Sequence, residues 1–225
     1  MKIKLLNFTY EAEKICAMAA NLCYSSVDID KISERFVESS ELKNILKKII
    51  LAGHYSVLEH ASFTFGIDDV SRSLLAQLTR HRLASFSVQS QRYVKFSGDI
   101  EFIIPDTIKE NESLLKKYNN VLKSIELLYR EFLDAGIPAE DARYILPLAS
   151  PTKLIITMNA RELRHFFSLR CCNKSQREIR NMACCMLDIV REKASELFCN
   201  AGPKCVRGNC KEIFPCHNPW KKIMI

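Results

Sequence analysis

A chain of 225 residues, 48% hydrophobic and 26% charged, can bury a full core without disulfides or a structural metal and is not expected to be disordered. It has no apolar run of about 18 residues, so no membrane span is expected. It also lacks a signal-peptide-like start, so its ten cysteines are expected to be thiols of a cytoplasmic protein. Of the net charge of +7, much lies late in the chain, where Lys204, Arg207, Lys211, Lys221 and Lys222 face only Glu212; the nearly balanced body argues against a nucleic-acid partner.

Residues 2–8 read as a first strand. Residues 11–23 have helical spacing, with Ala12, Ile15, Cys16, Ala19 and Leu22 on one stripe. Ser39 or Ser40 is expected to cap a helix over 41–52, stopped by Gly53. Residues 62–67 alternate, with Phe63, Phe65 and Ile67 on one face, as a strand does. Asp68 or Asp69 is then expected to cap a helix running to about Leu83. Residues 86–96 read as a strand or extended loop, and 101–104 as a short strand. The longest helix is predicted over 111–135, with Gly136 ending it and Pro138 opening the next. A buried strand over 153–158 leads to Asn159, which is placed to cap a helix to Arg170. A last long helix is expected over 175–198. The pattern predicts an α+β, helix-rich single domain over 1–198 with a small mixed or antiparallel sheet. Residues 199–225 are expected to form a mobile Cys/Lys-rich tail.

Chemistry concentrates in one stretch. Arg80, His81 and Arg82 sit at a predicted helix end, and Ser85, Ser87, Ser90 and Arg92 follow in an extended segment. Cations at a helix C-terminus are favoured by the dipole, which accounts for one or two of them. Guanidinium forks and serine hydroxyls together also suit a phosphate.

Arg80-His81-Arg82, seven further residues, and then Ser90-Gln91-Arg92-Tyr93 resemble the signature of the flavin-dependent thymidylate synthases. Three more segments resemble that family in chain order. They are Gly53-His54-Tyr55-Ser56-Val57-Leu58-Glu59-His60 with Phe63 and Phe65; Ala142-Arg143-Tyr144-Ile145-Leu146-Pro147; and Asn159-Ala160-Arg161 through Leu169-Arg170. The resemblance implies a homotetramer holding FAD between subunits. It implies conversion of dUMP to dTMP with 5,10-methylenetetrahydrofolate as carbon donor and NADPH as reductant. Ser56, Arg80, His81, Arg82, Asn159, Arg161 and His165 are the implied flavin contacts. Gln77, Arg80, Ser90, Gln91, Arg92, Arg143 and Arg170 are the implied nucleotide contacts, with Arg170 stabilising charge on the uracil. One departure is Val88, where family members often carry an acid; it offers only backbone atoms to polar recognition.

The residues themselves are compatible with these roles. Arg161 and His165 are four apart and share a helix face. His54 and His60 are equally readable as packed structural histidines, and no metal site is expected. Pro215-Cys216-His217 resembles a fragment of the nucleophile motif of the unrelated, flavin-free thymidylate synthase, but it stands in the tail, and no covalent cysteine is expected. Zinc on Cys199, Cys205, Cys210, Cys216 and His217 is disfavoured because no paired C-x₂-C knuckle is present. The adjacent pairs Cys171-Cys172 and Cys184-Cys185 are expected to be small buried apolar residues.

Overall fold

The structure is a computed structural model that describes residues 1–35, 39–208, 210, 212–216 and 218–220. His217, half of the Cys–His pair noted above, lies outside the described residues. The elements run β1 (Lys2–Phe8), α1 (Ala12–Leu22), α2 (Ile29–Arg35), α3 (Ser39–Ala52), a 3₁₀ turn (Tyr55–His60), β2 (Ser62–Ser71), α4 (Arg72–Leu78), β3 (Ala84–Val88), α5 (Asp106–Lys109), α6 (Glu112–Asp134), α7 (Ala139–Ala142), β4 (Pro151–Asn159), α8 (Ala160–Arg170), α9 (Arg177–Lys193) and α10 (Ser195–Phe198). The α+β class holds, with helices dominating.

Four strands form one sheet in the order β1-β2-β4-β3. Neighbours run antiparallel. The Thr9 amide donates to the Ser62 carbonyl at 3.0 Å at one end of β1, while Lys2 meets Asp69 at the other. Between β2 and β4, the Ala160 amide reaches the Ala61 carbonyl at 2.7 Å and the Thr64 and Thr157 hydroxyls lie 2.9 Å apart. Alternation explains the register: Phe63, Phe65 and Ile67 of β2 and Leu154, Ile156 and Met158 of β4 are buried, with less buried residues between them. A methyl group at Gly66 would come within 3.2 Å of Leu6, so glycine there leaves room for the neighbouring strand's side chain.

The chain divides into two compact units. The first comprises Met1–Lys2, Ile67–Arg80 and Phe86–Ile155; the second comprises 3–66, 81–85 and 156–225. In the first, α6 buries Tyr129 against Ile100 and Ala142, with Phe96, Phe102 and Phe132 packed around them. In the second, Phe63 stacks on Phe8 and meets Phe198 edge-on, and Phe198 meets Phe167. Phe63, Phe167 and Phe198 are fully buried, and each contributes roughly 1.5–3 kcal/mol.

Several expectations are corrected. β2 runs past Ile67 through a left-handed Asp69 (φ 57°), and Ser71, not Asp68 or Asp69, caps α4 by accepting from the Leu74 amide at 3.0 Å. α4 stops at Leu78, not Leu83. Ser39 and Ser40 lie inside α3, not before it. Residues 101–104 form no strand: Ile103 donates to Ala149 at 2.8 Å, a single bond with no ladder around it. The last helix breaks at Ala194 (φ −150°, ψ 67°), so α9 and α10 are separate. The expected mobile tail is packed at its start: Ala201, Gly202, Pro203 and Val206 are buried, and Arg191 donates to the Ala201 carbonyl at 2.8 Å. No helix among the described residues is long and apolar enough to cross a membrane.

Candidate active site

In the second unit the site is built on α8. Asn159 caps it, its Oδ1 accepting from the Glu162 amide at 2.8 Å. Ala160, Leu163, Phe166 and Phe167 form the buried face, and this face carries Glu162 inward with them, at 5% exposure. A buried carboxylate needs a hydrogen-bonding partner. It has one in His81, itself 5% exposed, whose Nδ1 lies 3.0 Å from Glu162 Oε1. The other ring nitrogen accepts from Arg170 Nε at 3.1 Å. Arginine is always a donor, so His81 Nε2 is the acceptor and the ring proton sits on Nδ1, directed at Glu162. Glu162, His81 and Arg170 thus form a continuous relay that holds the guanidinium from behind.

Ligand atoms of His81, Glu162 and His165 all fall within 4.8 Å of one another, close enough for a metal. Both His81 nitrogens are already engaged, however, which makes the group a hydrogen-bonded relay. The His81 ring is held edge-on by Phe166 at 5.0 Å and His165 at 6.0 Å. His165 and Arg161 are exposed on the same face of α8, and Arg161 pairs with Glu59 at 2.5 Å. Glu59 shares its 3₁₀ turn with the exposed Ser56, and Arg82 is exposed directly after His81. Of the implied flavin contacts, Ser56, His81, Arg82, Asn159, Arg161 and His165 therefore belong to the second unit, and Arg80, exposed just beyond α4, to the first. Arg164 is a structural anchor: it is buried, donates to the Leu197 carbonyl at 2.6 Å and to Asn200, and covers the Tyr55 ring at 5.3 Å.

The implied nucleotide contacts Gln77, Arg80, Ser90, Gln91, Arg92 and Arg143 all lie in the first unit; Arg170 alone lies in the second. β3 ends at Val88, and the chain turns at once: Ser90 Oγ accepts from the Arg92 amide at 3.2 Å, and the Val94 amide returns to the Ser90 carbonyl at 3.0 Å. Glu140 holds two of the cations, Arg92 through Oε2 at 2.9 Å and Arg143 through its carbonyl at 3.0 Å. The structure adds Arg72, the first residue of α4, which donates to the Gln89 carbonyl at 3.3 Å. Burial first, and then repulsion from Arg143, push the Arg72 pKa below the usual arginine value. Arg72 Nε and Gln91 Nε2 are buried without a hydrogen-bond partner among the described residues. Cations that repel, beside buried donors lacking acceptors, suit a bound anion. Arg72 stands at a helix N-terminus, where the dipole disfavours a cation; that misplacement is the one sequence signal that marked it. Glu162 was marked only by being an acid on an apolar helix face.

The model of the thymidylate synthase complementing protein family matches residues 4–195. A flavin-dependent thymidylate synthase of Geobacter sulfurreducens is 49% identical over 213 residues, covering 94% of this chain and 91% of that protein. Those of Clostridium tetani and Pyrococcus horikoshii are each 42% identical, the latter over 100% of this chain and 98% of its own length. The chain belongs to this family of thymidylate synthases. As a flavin-dependent thymidylate synthase it is an enzyme, and its cysteines can be weighed as nucleophiles. Burial pushes the Cys16 thiol up to about 12. A hydrogen bond with Cys184, and then burial, raise Cys171 well above the thiol range. Cys216 donates from Sγ to the Asn218 carbonyl at 3.4 Å. The expected burial of the adjacent pairs holds for Cys171, whereas Cys172 and Cys184 are half-buried and Cys185 is exposed.

Proposed function

We propose that this synthase methylates C5 of dUMP to give dTMP, drawing the carbon from 5,10-methylenetetrahydrofolate and the electrons, through FAD, from NADPH, with no cysteine nucleophile. Family membership supports the reaction class. The observation that carries the site assignment is the Glu162–His81–Arg170 relay, which fixes a cation from behind through buried hydrogen bonds.

The donor set fits the groups to be held. Arg72 Nε and Gln91 Nε2 are buried donors without acceptors among the described residues, beside Arg92 and Arg143; this is what a nucleotide phosphate requires. In the second unit Ser56, Arg82, Asn159, Arg161 and His165 supply hydroxyl, amide and cationic donors suited to the polyol and pyrophosphate of FAD. Bound there, the flavin supplies the reducing equivalents that convert the transferred one-carbon unit to a methyl group.

The protein's part is to bind, orient and polarise. Arg92, Arg143 and Arg72 hold the phosphate, with Ser90 and Gln91 presented from the same turn, and Gln77 and Arg80 complete the nucleotide contacts. Arg170 stabilises negative charge on the N3/O4 side of the uracil as the ring becomes nucleophilic at C5. Charge held in a fixed orientation lowers a barrier because it need not reorganise during the reaction. Residues 1–198 form the synthase domain, 199–225 an appended segment, and four chains assemble into a homotetramer in the cytoplasm.

The test is a single-turnover assay of purified protein with dUMP, methylenetetrahydrofolate and NADPH, with the released cofactor identified by mass. FAD and dTMP are expected, with no nucleotide–protein adduct in the acid-quenched protein. Protein that cannot be loaded with FAD, or an adduct on a cysteine, overturns the reading. Light scattering near four times 25.9 kDa tests the tetramer.

A further inference from the structure

We infer a metal centre held by four cysteine thiolates: Cys172, Cys205, Cys210 and Cys216. All four line a single cavity of about 590 Å³ in the second unit. Cys172 belongs to the turn after α8, and the other three come from the C-terminal segment. That segment is pinned onto the turn: Asn173 Nδ2 donates to the Asn218 carbonyl at 2.6 Å, and Lys174 Nζ donates to the Phe214 carbonyl. Four of the ten free cysteines thus line one space from two separate segments of the chain.

Their surroundings are not those of packing thiols. Cys172, Cys205 and Cys216 are only half-buried and Cys210 is exposed. Arg170, Lys174 and Lys204 line the same cavity. With Glu212, which pairs with Lys204 at 3.5 Å, as the acid on the same wall, these three cations offset part of the double negative charge that four thiolates give to a zinc ion or an iron–sulfur cube. All-sulfur ligation selects zinc or iron–sulfur centres among biological metals. Spacing favours the larger centre. No three of these sulfurs lie within 4.8 Å of one another, whereas tetrahedral zinc with bonds near 2.3 Å needs sulfurs about 3.8 Å apart. A spacing wider than zinc's and a cavity of about 590 Å³ leave room for a four-iron cluster.

The proposal departs from the expectation of no metal, which took Cys199 together with the later cysteines, where no paired C-x₂-C knuckle is present. Cys199 does not line the cavity, and the fourth ligand, Cys172, comes from another segment.

The experiment is metal and acid-labile sulfide analysis of full-length protein purified anaerobically. Iron and sulfide at about four each per chain are expected; one zinc without sulfide keeps the four-thiolate site and assigns it to zinc. Cys205→Ser and Cys210→Ser should lose the metal, while Cys23→Ser, at an exposed cysteine just after α1, should keep it. Alkylation of the unaltered protein gives a readout that no folding defect can mimic: the four cysteines should be protected until a chelator is added, while Cys23 reacts throughout. Folded protein that holds no metal after reconstitution with iron and sulfide or with zinc overturns the proposal. So does metal that survives both serine substitutions, or four cysteines that alkylate as fast as Cys23.

Discussion

The two compact units treat charge in opposite ways. In the second, Glu162, His81 and Arg170 are joined end to end, and Arg164 is enclosed by carbonyl and amide oxygens. In the first, Arg72 is partly buried beside Arg143, and two buried donor atoms have no acceptor among the described residues. Matched buried charge fixes a geometry, because any departure from it strands a desolvated group. Unmatched charge is a standing cost that a complementary ligand removes. On the proposed function, the second unit aims a cation and the first awaits an anion.

The largest expected effect tests the aimed cation. Arg170→Ala should fold and bind FAD, yet lose about 3–4 kcal/mol of transition-state stabilisation, on the order of a hundred- to a thousandfold in turnover. Arg170→Lys should recover only part, because an ammonium presents no planar fork. Turnover within about tenfold of the parent for Arg170→Ala, measured as dTMP formed per FAD, removes the role.

Glu162→Ala should come next. Removing a charge-assisted hydrogen bond costs about 1.5–3 kcal/mol. If that loss falls on the orientation of Arg170, kcat drops roughly ten- to a hundredfold with little change in KM for dUMP. Glu162→Gln should retain more, since an amide oxygen can still accept from His81 Nδ1. Steady-state kinetics that move KM instead of kcat would break the contrast between the units.

Arg72→Met reverses that signature. KM for dUMP should rise about tenfold, with kcat nearly unchanged, if Arg72 contributes one charged contact to the phosphate. The melting temperature of the ligand-free protein should not fall, because the substitution removes a desolvated cation repelled by Arg143. A clear loss of thermal stability without a KM change would make Arg72 structural.

The smallest effect concerns a matched but exposed pair in the first unit. Hydrogen bonding from Arg130, then the charge of Lys123, hold the Asp99 carboxyl below the usual carboxylate range. A depressed folded pKa gives stability that is present above the unfolded value and lost as pH falls through the folded one. Asp99→Asn should therefore lower the melting temperature slightly at neutral pH, less in high salt, and not at all in acid.

What the sequence determined alone was local or consecutive. Alternation placed β2 and β4, Asn159 announced the start of α8, and Asn111 and Gly136 bracketed α6, because each signal lies within a few residues of the backbone it governs. The ordered motifs identified the family for the same reason. Tertiary structure decided whatever joins distant segments or chooses between equivalent local options. Asp68, Asp69 and Ser71 could each have capped α4, and pairing with β4 carried β2 onward to make Ser71 the cap. Ala194 has no breaking residue type, yet the helix ends there so that Leu197 and Phe198 can pack. His81 and Glu162 stand 81 residues apart and neither predicts the other. Cys172 lines one cavity with Cys205, Cys210 and Cys216 only because the C-terminal segment folds back onto the turn after α8. Buried polar pairs and shared cavities depend on three-dimensional proximity, and one-dimensional spacing does not carry it.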